Sequence, residues 1–471
     1  MKRRDFLRGG ALAAAGAALL SPFGAKANVL KEEFRGKKAK NIIFMVSDGM
    51  SSGTLTMADL YSRRKMGRAS HWMSLYENNS VQRGVMDMAS LNSIITDSAA
   101  ASSSWGGGVR VNNGSLNVGP NGEIYMPILQ KFKKSGKKVG CVTTVPITHA
   151  TPAGFCVSTK SRNSMEDIAA LYATLNFDVM MGGGNKYFDA AERQDKKDMY
   201  AAFRSNGYTV ARSKAEMNAA PAGQPLLATF DEDGLPYTVD HNSSASLKSI
   251  IPTLAEMAAK AIAQMKNHPK GFVLQIEAGK VDWAAHANDI AGLLYDQLAF
   301  DDAIKVVMDF AKADGNTLVV LTSDHGNANP GLIYGKELNT NFDRIQNFSH
   351  TNEWILQGIK PADSAATVKD RIAEANAGFS VSDAQAREIL SYYNDAKLED
   401  GVYNPRHLPF KLLSEIQKGY TSVGWISMDH SSDYTELAMY GPGSENMKSF
   451  MKNTDMHNFL LEAAEVENKF S

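Results

Sequence analysis

The sequence contains little cysteine, almost no net charge and few long hydrophobic runs. Only two of its 471 residues are cysteine, Cys141 and Cys156, which excludes the disulfide framework typical of small secreted domains. Both stand among apolar residues and are interpreted as buried side chains, although an oxidising compartment would also allow a disulfide. The 50 basic and 51 acidic residues leave a formal net charge of −1, so no basic field indicates nucleic acid as a partner.

One weakly apolar run lies in residues 1–27, which have the pattern of a targeting segment. Basic residues in Lys2–Arg8 precede the run Gly9–Leu20, and Ala25–Ala27 offers an A-x-A cleavage site. The twin arginine followed by Phe-Leu resembles a Tat signal; a Sec signal and an uncleaved membrane anchor are the alternatives. The run is too short and too rich in alanine for a transmembrane helix. We therefore expect the Tat export machinery to deliver residues 28–471 to the periplasm or the medium.

Short apolar and β-branched runs predict buried parallel strands. They are Asn41–Val46, Lys138–Thr143, Phe272–Ile276 and Thr317–Thr322. Between the last two, Ala284–Ala311 has apolar residues at three- and four-residue spacings, which predicts a helix. The alternation of strand and helix predicts an α/β fold, a three-layer sandwich with a mostly parallel central sheet flanked by helices.

Two segments depart from this alternation. Residues 331–425 lack a strand pattern and contain two helical pieces, Asp363–Ala377 and Ser382–Ala396. We expect them to form a cap-like insertion over the active-site end of the catalytic domain, residues 28–471. Residues 185–250 form a second, more polar excursion.

Polar residues follow three of the predicted strands. Asp48 comes after the first, Glu277 after the third and Asp324-His325 after the fourth. Ligands bind at the carboxyl ends of the strands in such sheets. Each motif alone is also ordinary turn chemistry, but the convergence of three favours a functional site.

Aspartate and histidine in these regions have the chemistry of metal ligands. Asp282 and His286 would share one face of a helix, and that pair can bind one zinc ion. Asp48 can offer two oxygens and bridge two metals. A helix-capping aspartate, a surface histidine and, for His430, an ordinary loop histidine are the alternatives.

Ser98 is the candidate nucleophile. The apolar run Ile94–Thr96 predicts a strand that leads into an alanine-rich helix with Ser98 at its N-terminus. Free backbone N–H groups and the helix dipole favour negative charge there, which suits an alkoxide or a phosphate; a plain N-cap is the alternative. No G-x-S-x-G elbow surrounds Ser98, so activation would come from a metal ion.

Together these motifs resemble the alkaline phosphatase family, from about Asn41 to Gly443 with gaps through the two insertions. The resemblance rests on Asp48-Gly49-Met50, Thr96-Asp97-Ser98-Ala99-Ala100, His149-Ala150-Thr151-Pro152-Ala153-Gly154, Arg162, Glu277-Ala278-Gly279, Asp282, His286, Asp324-His325 and His430. It implies hydrolysis of phosphate monoesters through a phosphoserine, two Zn²⁺, one Mg²⁺ and a homodimer.

The resemblance also implies a role for each motif residue. Ser98 matches the nucleophile and Arg162 the phosphate-binding arginine. The implied ligands are Asp282, His286 and His430 for the first zinc, Asp48, Asp324 and His325 for the second, and Asp48, Thr151 and Glu277 for a third site, usually magnesium.

Two positions differ from some members of the family. His149 stands where some bacterial members have aspartate, and a nitrogen donor beside the third site would tolerate zinc better. Trp283 stands where others have lysine or histidine. It removes a titratable neighbour, so a pH optimum is not transferable from relatives.

Two alternative functions remain at this point. One is another enzyme of the superfamily, such as a phosphodiesterase, a phosphonate-ester hydrolase, a sulfatase or a cofactor-independent phosphoglycerate mutase. Ser98–Ser102 lacks the C-x-P-x-R motif of sulfatases, and Arg162 favours a dianionic monoester. The other is a non-catalytic metal- or phosphate-binding protein of the periplasm, which would keep the ligands and lose the nucleophile.

Overall fold

The computed structural model describes residues 32–394, 396–399 and 402–468, so the expected signal peptide, residues 1–27, lies outside the described residues. The strands are β1 (Asn41–Ser47), β2 (Gln82–Asp87), β3 (Lys138–Pro146), β4 (Val179–Gly183), β5 (Thr209–Ala211), β6 (Leu226–Thr229), β7 (Phe272–Ala278), β8 (Thr317–Thr322), β9 (Gly326–Asn327), β10 (Gly331–Leu332), β11 (Leu398–Glu399), β12 (Val402–Tyr403), β13 (Val423–Gly424), β14 (His430–Ser431), β15 (Thr435–Tyr440) and β16 (Phe450–Lys452).

Helices fill most of the intervals between the strands. They are α1 (Ser52–Met66), α2 (His71–Glu77), α3 (Ser98–Gly106), α4 (Ile128–Lys134), α5 (Ala150–Cys156), α6 (Met165–Leu175), α7 (Met199–Ser205), α8 (Lys214–Ala219), α9 (Thr238–Ser243), α10 (Ala245–Ile250), α11 (Leu254–Met265), α12 (Lys280–His286), α13 (Ile290–Asp314), α14 (Leu338–Arg344), α15 (Asn352–Gln357), α16 (Ala365–Ala375), α17 (Asp383–Ser391), α18 (Phe410–Thr421) and α19 (Asp455–Ala463).

A ten-stranded sheet runs through the centre of the fold in the order β16-β2-β15-β8-β1-β7-β3-β4-β6-β5. Every neighbouring pair from β8 to β5 is parallel. Only β15 opposes its neighbours, β2 and β8. The mostly parallel sheet that the sequence predicts is confirmed.

Helices cover both faces of this sheet. Alternate side chains of β1 enter different apolar layers: Ile43 and Met45 pack in one cluster, and Ile42 and Phe44 pack in the other. Because both faces are covered, β1 is a continuous buried run rather than an alternating one. The predicted three-layer sandwich is confirmed.

The four predicted strands correspond to β1, β3, β7 and β8, but the prediction of a strand at Ile94–Thr96 is wrong. That segment is irregular and Ile94 is 80% exposed. Its apolar side chains do not belong to the core, and local apolarity alone does not distinguish a strand from the rim of a cavity.

The predicted helix Ala284–Ala311 is two helices, α12 and α13. Asn288 adopts a left-handed φ of 46°, and the side chain of Asp289 accepts hydrogen bonds from the backbone N–H groups of Ala291 and Gly292. These are a helix stop and an N-cap in succession. As a result, His286 is the last residue of α12.

Residues 185–250 contribute to the sheet as well as to its surroundings. They contain β5 and β6, strands of three and four residues that extend the sheet at one edge. The segment is therefore only partly an excursion. Strands this short leave no readable alternation in the sequence.

Residues 331–425 contain a hydrophobic cluster separate from the two layers on the sheet. Its members include Ile355, Leu356, Ile372 and Leu413, and we call it the cap cluster. The two predicted helical pieces are present as α16 and α17, each shorter than expected.

Two further sequence expectations concern membranes and cysteines. Among the described residues, no helix has both the length and the apolarity that crossing a membrane requires. Cys141 and Cys156 are both buried and not joined in a disulfide.

Candidate active site

Strand register brings the predicted metal ligands to one edge of the sheet. β1 lies between β7 and β8, and Val46 is opposite both Glu277 and Thr322. The residues that follow β1 and β8, Asp48 and Asp324, therefore reach the level of Glu277. All three carboxylates are fully buried.

Gly49 makes this convergence sterically possible. It has a φ of +66°, and a Cβ placed on it would lie 2.5 Å from Oδ1 of Asp282. Its backbone N–H donates to Oδ1 of Asp324 at 3.0 Å. Only glycine combines that conformation with so close an approach.

Asp282, His286 and His430 form one group of potential ligands. α12 places Asp282 and His286 on one face, with Oδ2 and Nε2 3.5 Å apart. His430 reaches the same carboxylate from β14, which pairs with β9, and its Nε2 lies 3.5 Å from Oδ1 of Asp282.

Backbone carbonyls fix the orientation of both imidazoles. Nδ1 of His286 lies 2.6 Å from the carbonyl oxygen of Met428, and Nδ1 of His430 lies 3.0 Å from that of Thr96. With both Nδ1–H groups donating, the two Nε2 lone pairs face each other at 3.1 Å, beside the carboxylate of Asp282. Three electron-pair donors at one point require a cation or a proton between them.

The pKa values of His430 and Asp282 also indicate that a positive charge is favoured at this point. Burial lowers the pKa of His430, but hydrogen bonding and attraction to Asp282 outweigh it and raise the pKa to about 9. Burial likewise opposes ionisation of Asp282, yet its attraction to His286 and His430 holds the pKa of that carboxyl well below its usual range. A positive charge on His430 and a negative charge on Asp282 therefore stabilise each other.

A second group surrounds His325. Its Nε2 lies 3.2 Å from Oδ2 of Asp324 and 3.6 Å from Oδ1 of Asp48. The same nitrogen lies 3.2 Å from Oγ of Ser98. The candidate nucleophile is thus within reach of this second group.

A third group combines Asp48, His149 and Glu277. Thr151, in the first turn of α5, has its Oγ1 3.5 Å from Oδ2 of Asp48. Burial, with Arg162 adding to it, lowers the pKa of His149 to about 3. His149 is therefore a neutral imidazole, the form that binds metal.

The donor set fits divalent cations. Oδ1 of Asp48, Oε1 of Glu277 and Oδ2 of Asp324 are buried and accept no hydrogen bond from the described residues. Burial raises the pKa of Glu277 to about 7 and that of Asp324 to about 6, and it raises the pKa of Asp48 well above its usual value. Carboxylate and imidazole donors at this density suit zinc and magnesium.

Ser98 and Arg162 are linked by one carboxylate. Asp97 caps α3, where Ser98 is the first residue, by accepting from the backbone N–H of Ala100 at 2.9 Å. Oδ2 of Asp97 accepts from Nη1 of Arg162 at 3.0 Å, and Nη2 of Arg162 lies 3.1 Å from Nε2 of His149. The guanidinium is held on both sides.

A cavity of about 670 Å³ opens over these groups. It is lined by Ser93, Ile95, Thr96, Asp97, Ser98, Asn113, His149, Arg162, Asp282, Trp283, His286, Asp429 and His430. Trp283 packs edge-on against His149, with ring centroids 6.1 Å apart. A candidate nucleophile, a guanidinium and metal ligands thus face one space.

Some supporting contacts were not foreseen from the sequence. Asn327 donates to Oδ1 of Asp282 at 2.7 Å, and Thr143 donates to Oε2 of Glu277 at 2.5 Å. The hydrogen bond between Asp97 and Arg162 was not foreseen either. His350, a histidine of residues 331–425, has its Nδ1 2.8 Å from Oδ1 of Asp240.

Comparisons with known proteins agree on one family. Residues 39–466 match the model of the alkaline phosphatase family. The chain is 30% identical to alkaline phosphatase 4 of Bacillus subtilis, over 90% of this chain and 88% of that protein. It is 28% identical to the alkaline phosphatase of Escherichia coli, over 70% and 80% of the two chains. The alkaline phosphatase structure of Thermus thermophilus matches with a TM-score of 0.84 and 30% identity, over 95% and 96%.

Chelation is expected to lower the melting temperature more at pH 9 than at pH 6. Without metal, the folded chain keeps protons on Glu277 and Asp324 that the unfolded chain releases. That contribution is present at low pH and is lost as the pH rises through about 6 and 7. His430 acts in the same direction between pH 6.5 and about 9. Each pH unit crossed by one such group costs about 1.4 kcal/mol.

Thermal unfolding of chelated and metal-loaded protein at both pH values measures this difference. Glu277→Gln, which removes one titrating carboxyl, should show a smaller pH dependence in the chelated state. A chelated protein that gains stability between pH 6 and pH 9, relative to the loaded one, would contradict the analysis.

Proposed function

The chain belongs to the alkaline phosphatase family, and from that premise we propose that it works through a phosphoserine at Ser98. It is a metal-dependent hydrolase of phosphate monoesters, like the family that it matches. The observation that carries the proposal is the position of Ser98: its Oγ lies 3.2 Å from a ligand-type histidine nitrogen, in the cavity that holds Arg162.

We assign two zinc ions and a third ion, magnesium, to the three groups of donors. The ligands are Asp282, His286 and His430 at the first zinc, Asp48, Asp324 and His325 at the second, and Asp48, Thr151 and Glu277 at the third, with His149 beside it. When bound, these ions supply Lewis acidity that lowers the pKa of a serine hydroxyl and of water.

Ser98 carries out the covalent step. Its Oγ loses its proton and forms a bond to phosphorus while the bond from phosphorus to the alcohol oxygen breaks, and the departing oxygen takes up a proton to leave as the alcohol. The free N–H groups and the dipole of α3 favour the negative charge that Ser98 develops. The oxygen of a water molecule then bonds to the same phosphorus while the bond from phosphorus to Oγ breaks. Inorganic phosphate leaves, and a proton from that water restores the hydroxyl of Ser98.

Arg162 orients the phosphoryl group. A planar guanidinium can hold two phosphate oxygens at once. The hydrogen bonds from Arg162 to Asp97 and His149 limit its rotation, so little conformational freedom remains to be lost on binding. Asp97 also caps the helix of Ser98, which fixes the distance between nucleophile and guanidinium.

We also propose that residues 1–27 are a Tat signal and that the mature chain is periplasmic or secreted, with residues 331–425 as a cap. Self-association into a homodimer stays a prediction from the family resemblance. In a bacterial host, amino-terminal sequencing of the exported protein should start at Asn28. Arg3→Lys combined with Arg4→Lys should block export, and unchanged export of that variant would contradict a Tat route.

Ser98→Ala should lower turnover about 10³-fold or more, because no nucleophile remains to accept the phosphoryl group. The same variant should show no radiolabelled phosphate on the protein after an acid quench. Ser102→Ala, which removes a buried hydroxyl one turn further along α3, is the matched control and should keep labelling. Normal turnover in Ser98→Ala would refute the assignment.

Arg162→Ala should lower kcat/KM for a phosphate monoester about 10²-fold and that for the matching diester much less, because the guanidinium pairs with a dianion. Arg162→Lys should recover part of the loss. Arg64→Ala, which removes a guanidinium paired with Asp343 at the surface, should leave kcat/KM unchanged for both substrates. Equal losses for monoester and diester would show that Arg162 does not select the dianion.

A further inference from the structure

The carboxylate of Asp289 joins a core helix to a cap helix. Oδ1 accepts from the backbone N–H groups of Ala291 and Gly292, both at 3.0 Å, in the first turn of α13. Oδ2 accepts from the backbone N–H of Asn352, the first residue of α15, at 2.6 Å. Asp289 is 1% exposed. One buried carboxyl group thus accepts hydrogen bonds at the N-termini of two helices from different parts of the fold.

Asp289 also lies at the end of the interruption between α12 and α13, the three residues that follow His286. α12 has only seven residues and no side-chain N-cap, so it is too short to hold its own direction. Beyond His286, Asn288 takes a left-handed conformation and the backbone N–H of Asp289 donates to the carbonyl of Ala284. The orientation of His286 at the end of α12 therefore depends on the turn at residues 287–289, which the hydrogen bonds of Asp289 hold in place. We call this turn the junction.

The cap cluster contacts the same junction from the other side. Ala287, directly after His286, packs against that cluster, and so does Met428. The carbonyl of Met428 is the group that receives Nδ1–H of His286. Both the backbone and the ring of His286 are supported through contacts with the cap.

We propose that Asp289 is a positioning residue for the first metal site: by binding the N-termini of α13 and α15 with one carboxylate, it makes the cap part of the support that aims His286 at Asp282 and His430. This inference rests on the proposed assignment of those three residues as metal ligands.

Asp289→Asn tests this positioning role. The amide of asparagine has one acceptor oxygen in place of two, and its NH2 group would face a backbone N–H group, which is also a donor. The dissociation constant for zinc at the first site should rise about tenfold, the lower range for losing an orienting partner of a ligand. Competition with a chromogenic zinc chelator measures the affinity, and the visible absorption of the cobalt-substituted site reports its geometry.

Asp296→Asn is the matched control. Asp296 lies two turns further along α13, is equally buried, and holds the N-terminus of α9 by accepting from the backbone N–H and Oγ1 of Thr238 at 3.0 and 3.1 Å. This variant should lower the melting temperature by a similar amount and leave zinc affinity and the cobalt spectrum unchanged. Equal zinc affinities in the two variants would overturn the proposal.

A second pair of variants applies if Asp289→Asn fails to fold. Asn352→Pro removes the N–H that Asp289 accepts, and proline is tolerated there because Asn352 is the first helical residue and Thr351 before it is extended, with φ −75° and ψ 164°. Asn352→Ala keeps that N–H and loses only the side-chain hydrogen bonds with Gln417. Zinc should bind more weakly to the proline variant than to the alanine variant, and equal affinity would overturn the proposal.

His286→Ala separates this inference from the ligand assignment beneath it. If His286→Ala keeps its full zinc content, the proposed first site is wrong. If His286→Ala loses zinc while Asp289→Asn binds it normally, the site stands and only the positioning role of Asp289 fails.

Discussion

Mutual repulsion among buried carboxylates is the constraint on which the rest of the site depends. Asp48, Glu277, Asp282 and Asp324 lie together at one edge of the sheet, with almost no exposure to water. Several of their oxygens receive no hydrogen bond from the described residues, so protons or metal ions must offset the charge. The glycine at position 49, the short β14 and the helix break before α13 all serve this convergence.

Hydrogen bonds around these carboxylates orient the imidazole and guanidinium side chains that face the cavity. In the first group, Nδ1 of each histidine lies 2.6 or 3.0 Å from a backbone carbonyl oxygen, which leaves Nε2 facing the carboxylate of Asp282. Asp97 has a parallel role elsewhere in the cavity lining, where it caps the helix of Ser98 and restrains Arg162. The proposed nucleophile, the guanidinium and the proposed metal ligands are thus oriented by hydrogen bonds from a few neighbouring groups.

The sequence predicted the parts of the fold that follow from local pattern. Continuous apolar runs located β1, β3, β7 and β8, and helical spacing placed Asp282 and His286 on one face. The family resemblance supplied Thr151 and Arg162, which spacing alone would not have selected. The prediction of a strand at Ile94–Thr96 was wrong because apolar residues also line the rim of a cavity.

Contacts between distant segments account for what the sequence did not provide. Nothing near Asp97 indicates a hydrogen bond to Arg162, 65 residues away. Nothing near Met428 marks its carbonyl as the acceptor for His286, 142 residues away. The break between α12 and α13 did have a local signal in Asn288-Asp289, which the longer helical pattern concealed.

The late position of His430 has a consequence for the order of folding. His286 and His430 are 144 residues apart, and Gly49 and Asp324 are 275 residues apart. Closing loops of this length is slow, and the complete set of proposed ligands exists only after nearly the whole chain has been synthesised. A metal ion at the proposed first site can therefore meet all three of its ligands only late in folding. A chain ending before β14 would contain the seven consecutive sheet strands β8-β1-β7-β3-β4-β6-β5 but would lack one residue of the proposed first site.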